Sequence, residues 1–128
     1  MNKTIFLSVE EILLLHQRTI KAHGGIIGIR DMGLLESAVL RCQSGYYNSL
    51  TEQAASLMQS LCMNHCFTDG NKRVSLLATV VFLKMNGQNL VCKQSDVAKF
   101  IINEVIIGQA DVNKIAKWIH SNLTQSNE

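Results

Sequence analysis

The residues best suited to chemistry lie close together in residues 65–73, which read His-Cys-Phe-Thr-Asp-Gly-Asn-Lys-Arg. The imidazole of His65 can exchange a proton near neutral pH, so it can act as a general base on a hydroxyl group. The carboxylate of Asp69 can hold Mg²⁺, because this ion usually takes one or two carboxylates and completes its shell with phosphate and water. Lys72 and Arg73 carry the two kinds of cation that bind phosphoryl oxygens. The segment therefore predicts a site of phosphoryl transfer.

The backbone of the segment suits the same ligand. Gly70 permits a turn into the apolar run of residues 74–85, which predicts a helix. The free N–H groups and the dipole at a helix N-terminus favour an anion. We expect Asp69 or Asn71 to cap this helix and Phe67 to anchor the loop in the core.

The same residues also fit an ordinary turn between two helices. Gly70 would then be a bend, Lys72 and Arg73 would be solvated, and His65 would cap the end of the preceding helix. From physical chemistry alone the two interpretations are about equally supported, because such residues recur in surface turns.

Periodic apolar positions predict about six helices and an all-α fold, in a single domain over residues 1–128. Helix starts are indicated at Ser8 with Glu11, at Asp31, at Ser49 with Glu52, at Ser95 and at Asp111. Helix ends are indicated at Gly24, Ser44, Asn86 and Gly108. A very short N-terminal strand at residues 5–7 is also considered. His16 is predicted to be a packed histidine of the first helix rather than a ligand.

Composition places the chain among globular proteins, with 47% hydrophobic and 17% charged residues. Twelve Lys and Arg against ten Asp and Glu give a net charge of +2, too small to favour nucleic acid or an anionic membrane as the main partner. No apolar run approaches the roughly 20 residues of a membrane span, and the first residues lack a secretion signal. We expect a cytoplasmic protein whose four cysteines are reduced.

The segment from His65 to Arg73 resembles the signature of the Fic/Doc superfamily, HxFx[D/E]GN followed by GR or KR. Residues 24–38 and 82–87 are similar to the death-on-curing (Doc) branch, and the likeness covers roughly residues 7–123. Fic enzymes that transfer adenylyl groups have glycine in place of Lys72, and usually arginine in place of Leu76. The resemblance therefore implies the Doc reaction, in which the γ-phosphoryl group of ATP passes to a threonine of elongation factor Tu and translation stops.

The resemblance also implies a role for each residue of the motif. His65 would be the base and Asp69 the Mg²⁺ ligand, while phosphate would be bound by Gly70, Asn71, Lys72 and Arg73. Residues 24–30 would help to hold the target segment. The expected partner is an antitoxin whose flexible C-terminal region folds on the toxin, a coupled folding and binding event.

Three alternatives remain open at this point. The first is Fic-type adenylyl transfer, and the second is a non-catalytic module that binds the antitoxin. The third is a zinc site in which Cys42 or Cys92 completes a set formed by Cys62, His65 and Cys66. Residues 124–128 also match the first part of an inhibitory motif of some Fic proteins, [S/T]xxxE[G/N].

Overall fold

The computed structural model describes residues 3–125 and shows a helical bundle with one small sheet. Its helices are α1 (Val9–His23), α2 (Met32–Arg41), α3 (Leu50–Met63), α4 (Asn71–Met85), α5 (Gln94–Phe100) and α6 (Val112–Ser121). Helix α5 continues directly into a π-helical segment, Ile101–Ile107, called the π segment below. The prediction of an all-α domain with about six helices is confirmed.

Capping residues explain where most of the helices begin. Ser8 and Glu11 form a reciprocal capping box, in which the Ser8 hydroxyl accepts from the Glu11 N–H at 3.1 Å and the Glu11 carboxylate accepts from the Ser8 N–H at 2.9 Å. Ser49 starts α3 in the same way, and Asp31 and Asp111 cap α2 and α6. These four starts were predicted from the sequence.

The expected cap at Ser95 is wrong. Helix α5 begins two residues earlier than this cap would place it, at Gln94, and its N-cap residue is Lys93. The side chain of Lys93 does not cap the helix, because an ammonium group has no acceptor for a backbone N–H.

Helix α3 lies at the centre of the bundle. It packs against α2, α4, α6 and the π segment, and it buries both small and large side chains, from Ala54 to Leu61. Helix α4 packs against α3, α1 and α5, with Val74, Ala78 and Phe82 fully buried. From Val74 onward one face of α4 is thus held in the core, and its first turn remains exposed at Lys72 and Arg73.

A two-stranded antiparallel sheet closes the far end of α4. Strand β1 (Gln88–Leu90) pairs with β2 (Leu123–Gln125). We expected these segments to be a connection and a frayed tail, so the prediction was wrong for residues 124 and 125. Residues 126–128, which include most of the proposed inhibitory motif, lie outside the described part of the chain.

The short N-terminal strand considered at residues 5–7 is not present, and this part of the prediction is corrected. The side-chain amide of Asn86 takes the place of a partner strand. It accepts from the Ile5 N–H at 2.8 Å and donates to the Ile5 carbonyl at 2.9 Å. A single side chain satisfies both polar groups of one residue, so an extended segment is held without a β-ladder.

Two connections form the functional end of the bundle. The motif loop, residues 64–70, joins α3 to α4, and the glycine loop, residues 24–30, joins α1 to α2. None of the helices in the described residues is long and apolar enough to cross a membrane.

Candidate active site

The motif loop is bound along its length to the glycine loop. The Thr68 N–H donates to the Gly28 carbonyl at 3.1 Å, and Ile29 forms an antiparallel bridge with Phe67. The next two residues, Arg30 and Asp31, both donate their N–H groups to the Cys66 carbonyl. The two loops therefore form one small layer over the start of α4.

Phe67 is the buried aromatic residue of this layer. Its ring is 1% exposed and stacks on the ring of His16, with centroids 3.8 Å apart and planes 8° from parallel. The Nε2 atom of His16 lies 2.7 Å from the carbonyl oxygen of Asp69. A carbonyl oxygen can only accept, so Nε2 must carry the hydrogen. His16 is buried in the first helix as expected, and it also holds the motif loop through its contacts with Phe67 and Asp69.

Asn71 clamps the loop from the side of α4. Its side-chain oxygen accepts from the Phe67 N–H at 3.1 Å, and its side-chain nitrogen donates to the Phe67 carbonyl at 3.0 Å. The amide thus holds the loop through one accepted and one donated hydrogen bond. Its backbone N–H, at the first position of α4, remains directed toward the loop end of the helix.

The start of α4 differs from the prediction that Asp69 or Asn71 would cap it. The N-cap residue is Gly70, in the left-handed conformation with φ 78° and ψ 18°, and no side chain in residues 3–125 accepts a hydrogen bond at this cap. The Oδ1 atom of Asp69 accepts from the Gly70 N–H at 2.8 Å, one residue too early to serve the first turn of the helix. The N–H groups of residues 71–73 are therefore left for an external acceptor.

A cleft of about 420 Å³ opens in front of these N–H groups. Its walls are formed by the first turns of α4 on one side and by α5 with the π segment on the other: Asp69, Gly70, Asn71, Lys72, Arg73, Leu76, Ala98, Ile101 and Ile102. One wall is thus cationic and rich in N–H groups, and the other is apolar. Such a combination fits a ligand with both a phosphate and an apolar ring.

His65 is not among the residues that line this cleft, and it precedes Asp69 by four positions in the chain. Its side chain is exposed, and its backbone has φ 51°. A left-handed backbone costs a residue with a side chain about 1–2 kcal/mol, so the surrounding structure must hold this conformation. The imidazole is reachable by a large partner approaching from solvent.

The carboxylate of Asp69 is exposed and held by backbone groups. Its Oδ2 atom accepts from the Ile26 N–H at 3.1 Å, while Oδ1 is bound by Gly70. Each oxygen keeps a free lone pair, since a carboxylate oxygen can accept two bonds. Asp69 therefore fits the single carboxylate that Mg²⁺ takes when phosphates and water supply its other ligands.

The zinc site considered from the sequence is not formed. Within residues 3–125 no three His, Cys, Asp or Glu side chains lie close enough together to hold a metal ion. Cys42, Cys62 and Cys66 are buried, and burial raises the pKa of each thiol, to about 11 for Cys42. Neutral, buried thiols are packing groups rather than metal ligands.

Sequence reasoning missed three contributors to the site. His16 was assigned to packing alone, and its bond to Asp69 joins residues 53 positions apart, which no local pattern reveals. The Ile26 N–H and the close approach of Gly25 to Asp69 belong to the glycine loop. The paired glycines at 24 and 25 were the available signal, since they indicate a close backbone approach.

Comparison with known proteins agrees with this geometry. A model of the Fic/DOC family matches residues 6–83, which include both loops and most of α4. The toxin Doc of Mycolicibacterium smegmatis is 41% identical over 101 residues, covering 74% of this chain and 78% of the relative. The protein kinase doc of Escherichia phage P1 is 34% identical over 85 residues, covering 63% of this chain and 68% of the relative. The chain belongs to the Fic/Doc family and, within it, to the death-on-curing (Doc) branch.

Proposed function

We propose that this protein is the toxin of a toxin–antitoxin pair and that it transfers the γ-phosphoryl group of ATP to a hydroxyl group of a protein. The observation that carries the proposal is the uncapped start of α4 inside a cleft with Lys72 and Arg73, together with an exposed His65 in the loop that leads into this helix. A helix N-terminus with two adjacent cations binds phosphate, and an exposed imidazole can serve a protein substrate that is too large to enter a cleft.

The chemistry divides among the residues of the motif. The N–H groups of residues 71–73 and the cations of Lys72 and Arg73 bind the phosphates of ATP and neutralise charge that develops during transfer. Asp69 would hold Mg²⁺, which when bound adds positive charge between the phosphates. His65 takes the proton of the acceptor hydroxyl, the hydroxyl oxygen forms a bond to the γ-phosphorus, and ADP leaves with the bridging oxygen.

Two residues favour transfer of the γ-phosphoryl group over transfer of the adenylyl group. Lys72 stands where adenylyl-transferring relatives have glycine, and its side chain lines the cleft. Leu76, which also lines the cleft, stands where those enzymes usually have a second arginine. A cation at 72 changes which phosphate the site can seat next to His65. The printed name of the phage P1 relative, a protein kinase, is in line with this choice.

The resemblance to Doc toxins supports our inference about the acceptor and the antitoxin. We infer that the acceptor is a threonine of elongation factor Tu, so that the reaction arrests translation in the cytoplasm. The antitoxin would silence the toxin through a flexible C-terminal region that folds as it binds, a mode suited to reversible control.

The test uses purified protein, elongation factor Tu and ATP labelled at either the α or the γ phosphate. We expect label to reach the factor from the γ position, in a reaction that needs Mg²⁺ and stops with chelator. Label from the α position would overturn the proposal in favour of adenylyl transfer. Transfer from neither position, together with normal binding of the antitoxin, would indicate a binding module without activity.

The control for this experiment is Gln17→Ala, which changes an exposed side chain of α1. It should transfer label at the wild-type rate. His65→Ala should lower the rate by about 10²–10⁴-fold, the usual cost of removing a general base. A rate within a few-fold of wild type in His65→Ala would remove His65 from the proposed mechanism.

A further inference from the structure

We propose that Arg30 is a positioning residue that holds His65 in the conformation required for proton transfer. The inference rests on the proposed function, because it concerns the base of that reaction. Arg30 lies at the end of the glycine loop, and its guanidinium group reaches the end of α3. Its Nε–H donates to the carbonyl of His65, and its Nη2–H donates to the carbonyl of Asn64 at 3.1 Å.

The need for such a group follows from how α3 ends. The helix stops at Met63, Asn64 keeps a helical backbone with φ −82°, and His65 then turns to φ 51°. This position after a helix is usually occupied by glycine, because a residue with a Cβ is strained there. Here the same position carries the imidazole of His65, so it cannot be occupied by glycine. A contact outside the local chain has to secure the turn.

The guanidinium group is well matched to this task. Carbonyl oxygens at the C-terminus of a helix carry excess negative charge and lack partners within the helix. A planar fork with several N–H donors can bind two neighbouring carbonyls at once, whereas a lysine presents a single charged point. Arg30 therefore fixes the orientation of the His65 backbone, and the backbone orientation determines where the imidazole lies.

Removal of the side chain should leave the rest of the site in place. The backbone N–H groups of Arg30 and Asp31 both bind the Cys66 carbonyl, so the two loops stay paired without the guanidinium group. The cleft and the start of α4 do not use Arg30 at all. The expected defect is thus confined to the alignment of His65, where a displacement of about 1 Å can cost about 100-fold in rate.

The experiment compares Arg30→Ala and Arg30→Lys with the wild-type protein in the labelled-ATP reaction. We expect Arg30→Ala to lower kcat by about 10–100-fold with the KM for ATP unchanged. The kcat of Arg30→Lys should lie between those of Arg30→Ala and the wild-type protein. Free guanidinium ion at millimolar concentration, far below denaturing levels, should restore part of the rate to Arg30→Ala. Wild-type kcat in Arg30→Ala would overturn the proposal. A loss of kcat that is equal in Arg30→Ala and Arg30→Lys, and that guanidinium does not relieve, would also overturn it.

A matched control is Arg41→Ala. Arg41 also makes several bonds, to the side chains of Gln59, Ser60 and Tyr47, and none of these three residues belongs to either loop. It should lower stability without lowering kcat. A loss of kcat in Arg41→Ala equal to that in Arg30→Ala would show a general effect of instability and overturn the assignment.

A second measurement separates this inference from the proposed function. The backbone chemical shifts of His65, measured by NMR on protein without nucleotide, report its φ and ψ angles and require no turnover. In Arg30→Ala they should move away from left-handed values, while those of Gly70 stay fixed. Unchanged His65 shifts would overturn the inference even if the reaction proves to be phosphoryl transfer. Changed shifts would support it even if the wild-type protein transfers no phosphate.

Discussion

The Nε2 atom of His16 lies 2.7 Å from the carbonyl oxygen of Asp69, and the ring of the same histidine stacks on Phe67. One side chain of α1 thus supports two residues of the motif loop, by a hydrogen bond and by a flat apolar contact. The carbonyl belongs to the residue just before Gly70, where the chain turns into α4. The position of the helix start that we propose to bind phosphate therefore depends on a helix that contributes nothing to the motif.

Two variants of His16 separate these contributions. His16→Phe keeps a flat ring against Phe67 and removes the donor, which leaves the partly buried carbonyl of Asp69 without its partner. We expect the free energy of unfolding, measured in urea, to fall by about 1–3 kcal/mol. His16→Gln restores an N–H donor and removes the ring, so its loss should come from packing instead.

The matched control for these variants is Gln17→Ala, an exposed change on the next residue of α1. It should alter the free energy of unfolding by less than about 0.5 kcal/mol. If His16→Phe proved as stable as Gln17→Ala, the hydrogen bond to Asp69 would contribute nothing to the fold.

Local sequence signals were enough to predict the helices of this protein. The capping boxes at Ser8 and Ser49 and the caps at Asp31 and Asp111 act within four residues of chain, so they can be recognised without knowing the fold. The residues of the motif were recognised through their resemblance to the Fic/Doc signature, because their types alone fit a solvated turn equally well.

The remaining features depend on contacts between distant parts of the chain. The bonds from Asn86 to Ile5 and from Arg30 to His65 span 81 and 35 residues, and nothing in the local pattern indicates either one. The cap of α4 was mispredicted for a related reason. Asn71 has a side chain typical of an N-cap, but its amide bonds instead to the backbone of Phe67, four residues earlier, once the motif loop is folded over the start of α4.

Asn71→Asp tests that clamp with almost no change in shape. The carboxylate can still accept from the Phe67 N–H, but it has no donor for the Phe67 carbonyl. It also places a negative charge at the helix start that is proposed to bind phosphate. We expect a loss of about 1–3 kcal/mol in the free energy of unfolding and at least a 10-fold weaker affinity for ATP by calorimetry.

Asn48→Asp is a suitable control, because it makes the same chemical change at an exposed position between α2 and α3. It should leave ATP affinity unchanged. Equal ATP affinity in Asn71→Asp and Asn48→Asp would contradict the assignment of the α4 start as the phosphate site.

The left-handed backbone of His65 predicts an unusual order of stability. His65→Ala and His65→Gly both remove the imidazole, so both should lose phosphoryl transfer. Alanine keeps the strain of φ 51°, about 1–2 kcal/mol, whereas glycine removes it and costs about 0.5–1 kcal/mol through its freer unfolded chain. We expect His65→Gly to unfold with a free energy about 0.5–1 kcal/mol higher than His65→Ala, measured in urea.

The same pair of substitutions at Asn64 provides the control. Asn64 has φ −82°, which suits residues with a side chain, so Asn64→Gly should be less stable than Asn64→Ala. The sign of the difference should therefore reverse between two adjacent residues. The same sign at both positions would mean that His65 is not strained in the folded protein.

Gly25 and Gly24 offer a direct test of how the glycine loop positions Asp69. Both residues have positive φ, +122° and +81°, so an alanine at either position carries backbone strain. A Cβ at Gly25 would lie 2.7 Å from the Oδ2 atom of Asp69, whereas a Cβ at Gly24 would meet no atom within 4 Å. Gly25→Ala must therefore displace the carboxylate proposed to hold Mg²⁺, and Gly24→Ala need not.

Both variants should unfold at lower urea concentration, each losing about 1–2 kcal/mol. Only Gly25→Ala should also need a higher Mg²⁺ concentration for half-maximal phosphoryl transfer. Its rate at fixed Mg²⁺ should be at least 10-fold lower than that of the wild-type protein. Gly24→Ala separates backbone strain from displacement of the Asp69 carboxylate, since it has the same kind of strain and no steric clash with Asp69. An equal rise in the Mg²⁺ requirement in both variants would trace the defect to backbone strain and leave Asp69 without its proposed role.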